Sequence, residues 1–158
     1  MTPRKELFIK IKEALATITE LELVDLQRKQ FSNEKENYPS YWTAALIDIK
    51  SIAWESMVEQ KQEGFCNVDV TLYCKDGWMD QHNGTADDEH GLIEIDLIDT
   101  IVEKLQFLQG EYFKPLHQTA DESEDSDSEI MSYKMSFSTT LYRKINPKYN
   151  NRKLTINP

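Results

Sequence analysis

The chain has 158 residues, 39% of them hydrophobic and 29% charged, with only five Gly and five Pro. That is the makeup of one globular domain; it excludes collagenous and low-complexity classes, and no apolar run exceeds four residues against the ~20 that a membrane helix needs. A formal charge of −10, from 18 Lys and Arg against 28 Asp and Glu, sets most faces against nucleic acid and anionic membrane.

At the start of the chain, Thr2 is a candidate N-cap, and Pro3 stands at the first helical position, where its missing N–H costs nothing. Leu7, Phe8, Ile11, Ala14, Leu15 and Ile18 then recur on one face of an α-helix. Glu6, Lys10, Lys12 and Glu13 occupy its polar side, so the helix should lie on an apolar surface. No basic segment leading into an apolar run follows Met1, which leads us to expect a cytoplasmic protein.

Residues 21–31 begin with strand-like alternation and end polar, so a strand running out of the core is expected there. The stretch 32–40 has loop composition, and 41–54 reads as a strand with Ala45, Ile47 and Ile49 on one side. Residues 65–75 give the cleanest alternation: Cys66, Val68, Val70, Leu72 and Cys74 should face the core. A second helical stripe, Ile98, Ile101, Val102, Leu105 and Leu108, predicts a helix from Asp96, as N-cap, to Leu108, closed by Gln109 and Gly110. Ile130–Tyr142 alternates again, with Met131, Tyr133, Met135, Phe137, Thr139 and Leu141 on one side and Ser, Lys and Thr on the other.

Together these elements predict an α+β fold: one antiparallel or mixed sheet of about four strands, with two helices packed on one face and the Ser/Thr/Lys-rich face left open. Residues 1–145 form the expected single domain, with an acidic mobile loop at 119–129 and a basic, polar tail at 146–158. Charge is segregated. Asp121, Glu122, Glu124, Asp125, Asp127 and Glu129 crowd one stretch, while Arg143, Lys144, Lys148, Arg152 and Lys153 lie where no acid follows. The acidic run admits three roles: mimicry of nucleic-acid phosphates, repulsion of DNA in a channel, or plain solvation. The basic end is a candidate for meeting an acidic partner.

Motifs of catalysis are missing: the sequence has no Gly-rich phosphate loop, no Gly-x-Ser-x-Gly elbow and no His-Glu-x-x-His. Only His82, Asp87, Asp88, Glu89 and His90 have the composition of a metal site, and their spacing fits a polar connection better than a ligand set. A metal-dependent enzyme around His82, Asp88 and His90 is the reading this leaves for catalysis. His117, beside Pro115 and Leu116, is expected in a loop. Cys66 and Cys74 are about 26 Å apart along one strand, too far to bridge, and should be buried thiols acting as small hydrophobes. Trp42, Trp54 and Trp78 are large anchors for a core or an interface.

The ordered set of features resembles the tail-completion, or tail-terminator, proteins of long-tailed bacteriophages and prophages. The likeness spans most of the chain: the opening helix ending near Ile18, the phrase Asn37–Asp48 leading into a strand, the strand Val68–Tyr73 and the helix Ile98–Leu105. After these come the segment Phe107–Leu116, the acidic run and the strand ending at Thr139–Tyr142. The resemblance implies a protein without catalysis or cofactor, assembled in the bacterial cytoplasm as a ring, commonly a hexamer, on the last turn of the tail tube and carried into the virion. Tail tube protein and head connector protein are the implied partners, with no specific nucleic-acid binding and no membrane. An acidic run would suit the lumen of such a ring, where like charge lets DNA pass. No single interface residue carries over from the family, and the basic segment Arg143–Lys153 matches nothing in its pattern. The competing reading is an acidic inhibitor or adaptor that mimics nucleic-acid phosphates.

Overall fold

The computed structural model describes residues 1–31, 43–75, 93–124 and 130–148. Helix α1 (Pro3–Leu15) starts as its sequence dictates: Thr2 is extended, with φ −91° and ψ 151°, its carbonyl accepts the Glu6 N–H at 3.0 Å, and proline occupies the first turn. The Thr2 hydroxyl makes no capping bond. Leu7, Ile11 and Leu15 are fully buried, with Ile18 beside them, so the predicted apolar face is the packed face.

Strand β1 (Leu23–Leu26) is short because alternation gives way to polar residues after Leu26. It runs parallel to β2 (Thr43–Val58), with Leu23 opposite Ala44 and Leu26 opposite Ile47. β2 pairs antiparallel with β3 (Lys61–Lys75), and β3 with β5 (Ile130–Lys144). Helix α2 (Ile93–Leu105) buries Leu97, Ile98, Ile101 and Leu105. Asp96 therefore lies inside α2 rather than at its N-cap. The helix ends three residues before Leu108, where Phe107 takes a left-handed φ of 65° and its N–H turns to the Leu116 carbonyl at 2.8 Å.

The stretch expected as a mobile loop from 119 contains a further strand, β4 (His117–Glu124), paired antiparallel with β5. A solvated acidic composition does not prevent strand formation when a neighbour supplies the backbone partners and the side chains face water. The sheet thus has five strands in the order β1-β2-β3-β5-β4, mixed in direction, with β1 and β4 at its edges.

One face carries Ala45, Ile47, Cys66, Val68, Val70, Leu72, Met135, Phe137 and Leu141 against both helices. The opposite face is not uniformly wet: at one end Phe31 is buried on Ala44 and Leu46, and its ring stacks on Tyr73 at 4.6 Å. Length mismatch shapes the rest. The 16 residues of β2 extend about 50 Å, whereas the 13 of α1 cover about 20 Å. Burial along β2 accordingly fades from Ala44–Ile47 to full exposure at Glu55–Val58. Beyond β5 the chain is tied once more, by the Ile145 N–H to the Gln60 carbonyl at 2.8 Å. No helix among the described residues is long and apolar enough to cross a membrane.

Candidate binding cleft

The helix-side face of the sheet outruns α1 at the β2–β3 turn, and a cleft of about 820 Å³ opens there. Alternation places Trp54, Gln62 and Arg143 on that face, continuing the rows that hold Ile52, Cys66 and Leu141 in the core. Register brings these rows together: Trp54 is opposite Gly64, Gly64 opposite Leu141, and Gln62 opposite Arg143. The first residues of α1 and the turn at Glu111 and Tyr112 form the walls.

Gly64 is what lets Trp54 lie where it does. A Cβ there would stand 2.7 Å from both Trp54 Cε3 and Ile52 Cγ2, so the indole crosses space that any side chain would fill. The Arg143 guanidinium lies 3.9 Å over the Trp54 ring and donates from Nε to Gln62 Oε1 at 2.8 Å; Arg4 approaches the same ring at 5.9 Å. Trp54 packs on the core but leaves its indole Nε1 buried without an acceptor among the described residues. Buried indole N–H groups ordinarily find one.

The wall is held by Glu6. Its buried carboxylate accepts the backbone N–H of Glu111 at 2.9 Å and of Tyr112 at 2.8 Å, fastening the turn to α1. Gly110 permits this close approach, since a Cβ there would meet Phe113 Cε1 at 2.3 Å.

Electrostatically the cleft is the reverse of the chain as a whole. Arg4 and Arg143 lie over its Trp54 floor, and Lys61 and Lys144 border it at the strand ends, against one acid, Glu111; by alternation the two lysines belong to the sheet face opposite to that of Gln62 and Arg143. Lys61 stands directly opposite Lys144 across the β3–β5 ladder, a like-charge pairing that disfavours the strand pair itself. Among the described residues none of these four cations forms an ion pair with an acid. The nearby Glu63 is already engaged, accepting from the Tyr142 hydroxyl at 3.0 Å and pairing with Lys114 at 3.8 Å. Under the floor, burial pushes the Cys66 thiol up to about 11, with the Arg4 charge opposing that rise.

No protein-family model and no curated protein matches the chain.

The acidic candidates are divided. Asp121, Glu122 and Glu124 lie on edge strand β4, and Asp125, Asp127 and Glu129 fall outside the described residues. Lys134 on β5 pairs with Glu122 at 2.7 Å and with Glu124 at 3.4 Å. That contact holds the Glu122 carboxyl below its ordinary pKa and the Lys134 ammonium above its own. The basic candidates divide as well: Arg143 and Lys144 belong to β5 and the cleft, Lys148 is exposed, and Arg152 and Lys153 fall outside the described residues.

His82, Asp87, Asp88, Glu89 and His90 also fall outside, as do Trp42 and Trp78, while no cluster of metal-ligating side chains occurs among the described residues. His117 opens β4 rather than standing in a loop, its ring edge-on to Phe107 at 5.5 Å. Cys66 and Cys74 are buried and form no disulfide. The sequence pattern passed over Arg4, Lys61 and the placement of Trp54. The one local signal was the loss of apolar alternation where the core-facing row of β3 ends in Gly64 and Gln62, and that of β5 in Arg143.

Proposed function

We propose that the protein is a non-enzymatic structural subunit of a phage or prophage tail, which caps the tail tube as a ring and helps to join tail to head. The observation that carries this reading is the polarity of the subunit. A cationic cleft sits at one end of an otherwise acidic molecule, and an acidic edge strand sits about 30 Å away, nine residues along β5 from Arg143 to Lys134. Unlike surfaces at opposite ends of one subunit favour head-to-tail contacts, and such contacts close into rings when the rotation between subunits allows it. The uncovered end of the sheet adds exposed Met57, Val58 and Phe65, the kind of apolar surface that a partner covers. The order of elements, with its likeness to tail-completion proteins, supplies the biological setting.

The proposal places this gene beside that of a tail tube protein, and the test uses that tube protein. Added during tube polymerisation, the purified protein should cap tube ends as rings visible by electron microscopy and shorten the tubes. Tubes of unchanged length with bare ends would overturn the proposal.

A further inference from the structure

We infer that the Trp54–Arg143 cleft is the receptor for the acidic β4 edge of a second copy of this chain. The inference rests on the assembly reading above and names the surfaces that meet. The occupant has to be anionic: Arg4 and Arg143 over the floor and the Lys61–Lys144 pair at the border stand against one acid, Glu111. It has to reach along a groove, since about 820 Å³ holds several side chains rather than one ion.

Nucleic acid fits these terms poorly. Single strands bind by stacking bases on open aromatic rings, and two guanidiniums already lie over Trp54. A polyanion would also meet the field of a chain whose formal charge is −10. A short acidic segment of protein needs no open ring to stack on, and its charge is local rather than continuous along a strand, so it meets the cleft's cations without a long polyanion following it.

Strand β4 presents such a segment. It is an edge strand with one unpaired side, and its exposed Asp121 and Glu122, with Glu124, set three carboxylates against the single ammonium of Lys134, which pairs with Glu122 and Glu124. Edge strands ordinarily carry devices against pairing with other chains, and charge is one of them; here the charge is of the sign that the cleft attracts. The edge lies at the far end of the subunit from its own cleft, so the contact can form only between copies. It joins unlike surfaces and leaves a free cleft at one end of each dimer and a free edge at the other, the arrangement from which a ring grows.

Charge reversal tests this directly. Lys61→Glu/Lys144→Glu replaces one like-charge pair by another and leaves Trp54, Arg143 and Gln62 in place, so folding should be preserved, as circular dichroism and thermal melting will report. Asp121→Lys/Glu122→Lys reverses the edge. Analytical ultracentrifugation of the parent chain should show self-association that weakens with salt, and each variant alone should associate at least tenfold more weakly, about 1.4 kcal/mol. Mixing the two variants, or combining all four changes in one chain, should restore association.

An oligomer that persists in both variants would overturn the inference while leaving ring formation intact. A parent chain that stays monomeric would also overturn it, and if that monomer bound a Glu-rich peptide through Lys61 and Lys144 the occupant would be another protein. Charge-dependent rings that fail to cap tube protein would sink the tail function and leave the contact standing.

Discussion

Replacing Gly64 by Ala is the sharpest test of how the cleft is built. The new Cβ would lie 2.7 Å from Ile52 Cγ2, 2.7 Å from Trp54 Cε3 and 2.9 Å from Trp54 Cδ2. Carbon atoms prefer about 3.5–4.0 Å, so both side chains must move by most of an ångström. Neither moves freely: Ile52 and Trp54 pack on the core, and Arg143 rests on the indole. Overpacking of this kind costs about 1–3 kcal/mol, offset by roughly 0.5–1 kcal/mol from the lower chain entropy of Ala in a strand. The net loss lies between about 0 and 2.5 kcal/mol and centres on about 1 kcal/mol, which corresponds to a fall of roughly 2–4 °C in Tm for a domain of this size. Thermal unfolding measures the loss. Fluorescence of a chain with Trp42 and Trp78 changed to Phe reports Trp54 alone, and its emission should shift as the indole leaves its place. In a Trp54→Ala background the penalty should shrink, because the atoms that collide are gone. A Gly64→Ala chain as stable as its parent, with unchanged Trp54 emission, would refute the account of the floor.

Three further outcomes follow from the same geometry. Glu6→Gln replaces one of the two oxygens that hold the Glu111 and Tyr112 N–H groups with a donor, and should cost about 1.5–3 kcal/mol in urea unfolding with an unchanged m-value; a loss below about 0.5 kcal/mol would mean that the turn does not depend on that carboxylate. With its pKa raised to about 11, Cys66 is thiolate to only about 0.1% at pH 8. In a Cys74→Ala chain, native alkylation should therefore be slow and speed up with pH, whereas rapid stoichiometric labelling at pH 8 would contradict its burial. The unfolded thiol ionises more readily than the folded one, so the contribution of Cys66 to stability is complete below about pH 9 and is lost as pH rises toward 11. Arg143→Met should shift Trp54 emission and cost about 1 kcal/mol, through loss of the cation over the ring and of the bond to Gln62; an unaltered spectrum would show that the stacking is not present in solution.

Elements whose burial is one-sided are legible in the amino-acid pattern itself. The stripe Leu7, Ile11, Leu15, Ile18 and the row Cys66 to Cys74 report their faces because exchanging faces would expose the core, and both are buried as expected, although Asp69 and Thr71 on the other face of β3 are buried as well. Strand β4 is not legible, since Thr119–Glu124 has no apolar member except Ala120 and its strand form comes from the β5 backbone. Asp96 misleads for a related reason. A carboxylate before an apolar stripe reads as an N-cap, but the stripe already begins at Ile93, in a segment whose first turn the local pattern cannot distinguish from the polar connection. The cleft lies further out of reach. Trp54, Lys61 and Arg143 are brought together by the β2–β3–β5 register, and Arg4 reaches them only because α1 packs on that sheet.

The cleft is also a consequence of how the core ends. Strands longer than the helices that cover them leave a border where apolar residues would meet water. Here that border is made of amphipathic side chains: Trp54 closes the core with its ring, and Arg143 covers the ring with its guanidinium while its charge remains at the surface. Stability and recognition therefore share Trp54 and Arg143, and substituting either one perturbs both at once. Lys61 and Lys144 belong to neither the core nor the stack, and their mutual repulsion works against the ladder that holds them. Two lysines placed at a cost to the fold, with no ion pair among the described residues, make sense when the missing charge comes from another chain. They are consequently the positions at which binding can be changed while the fold is left alone.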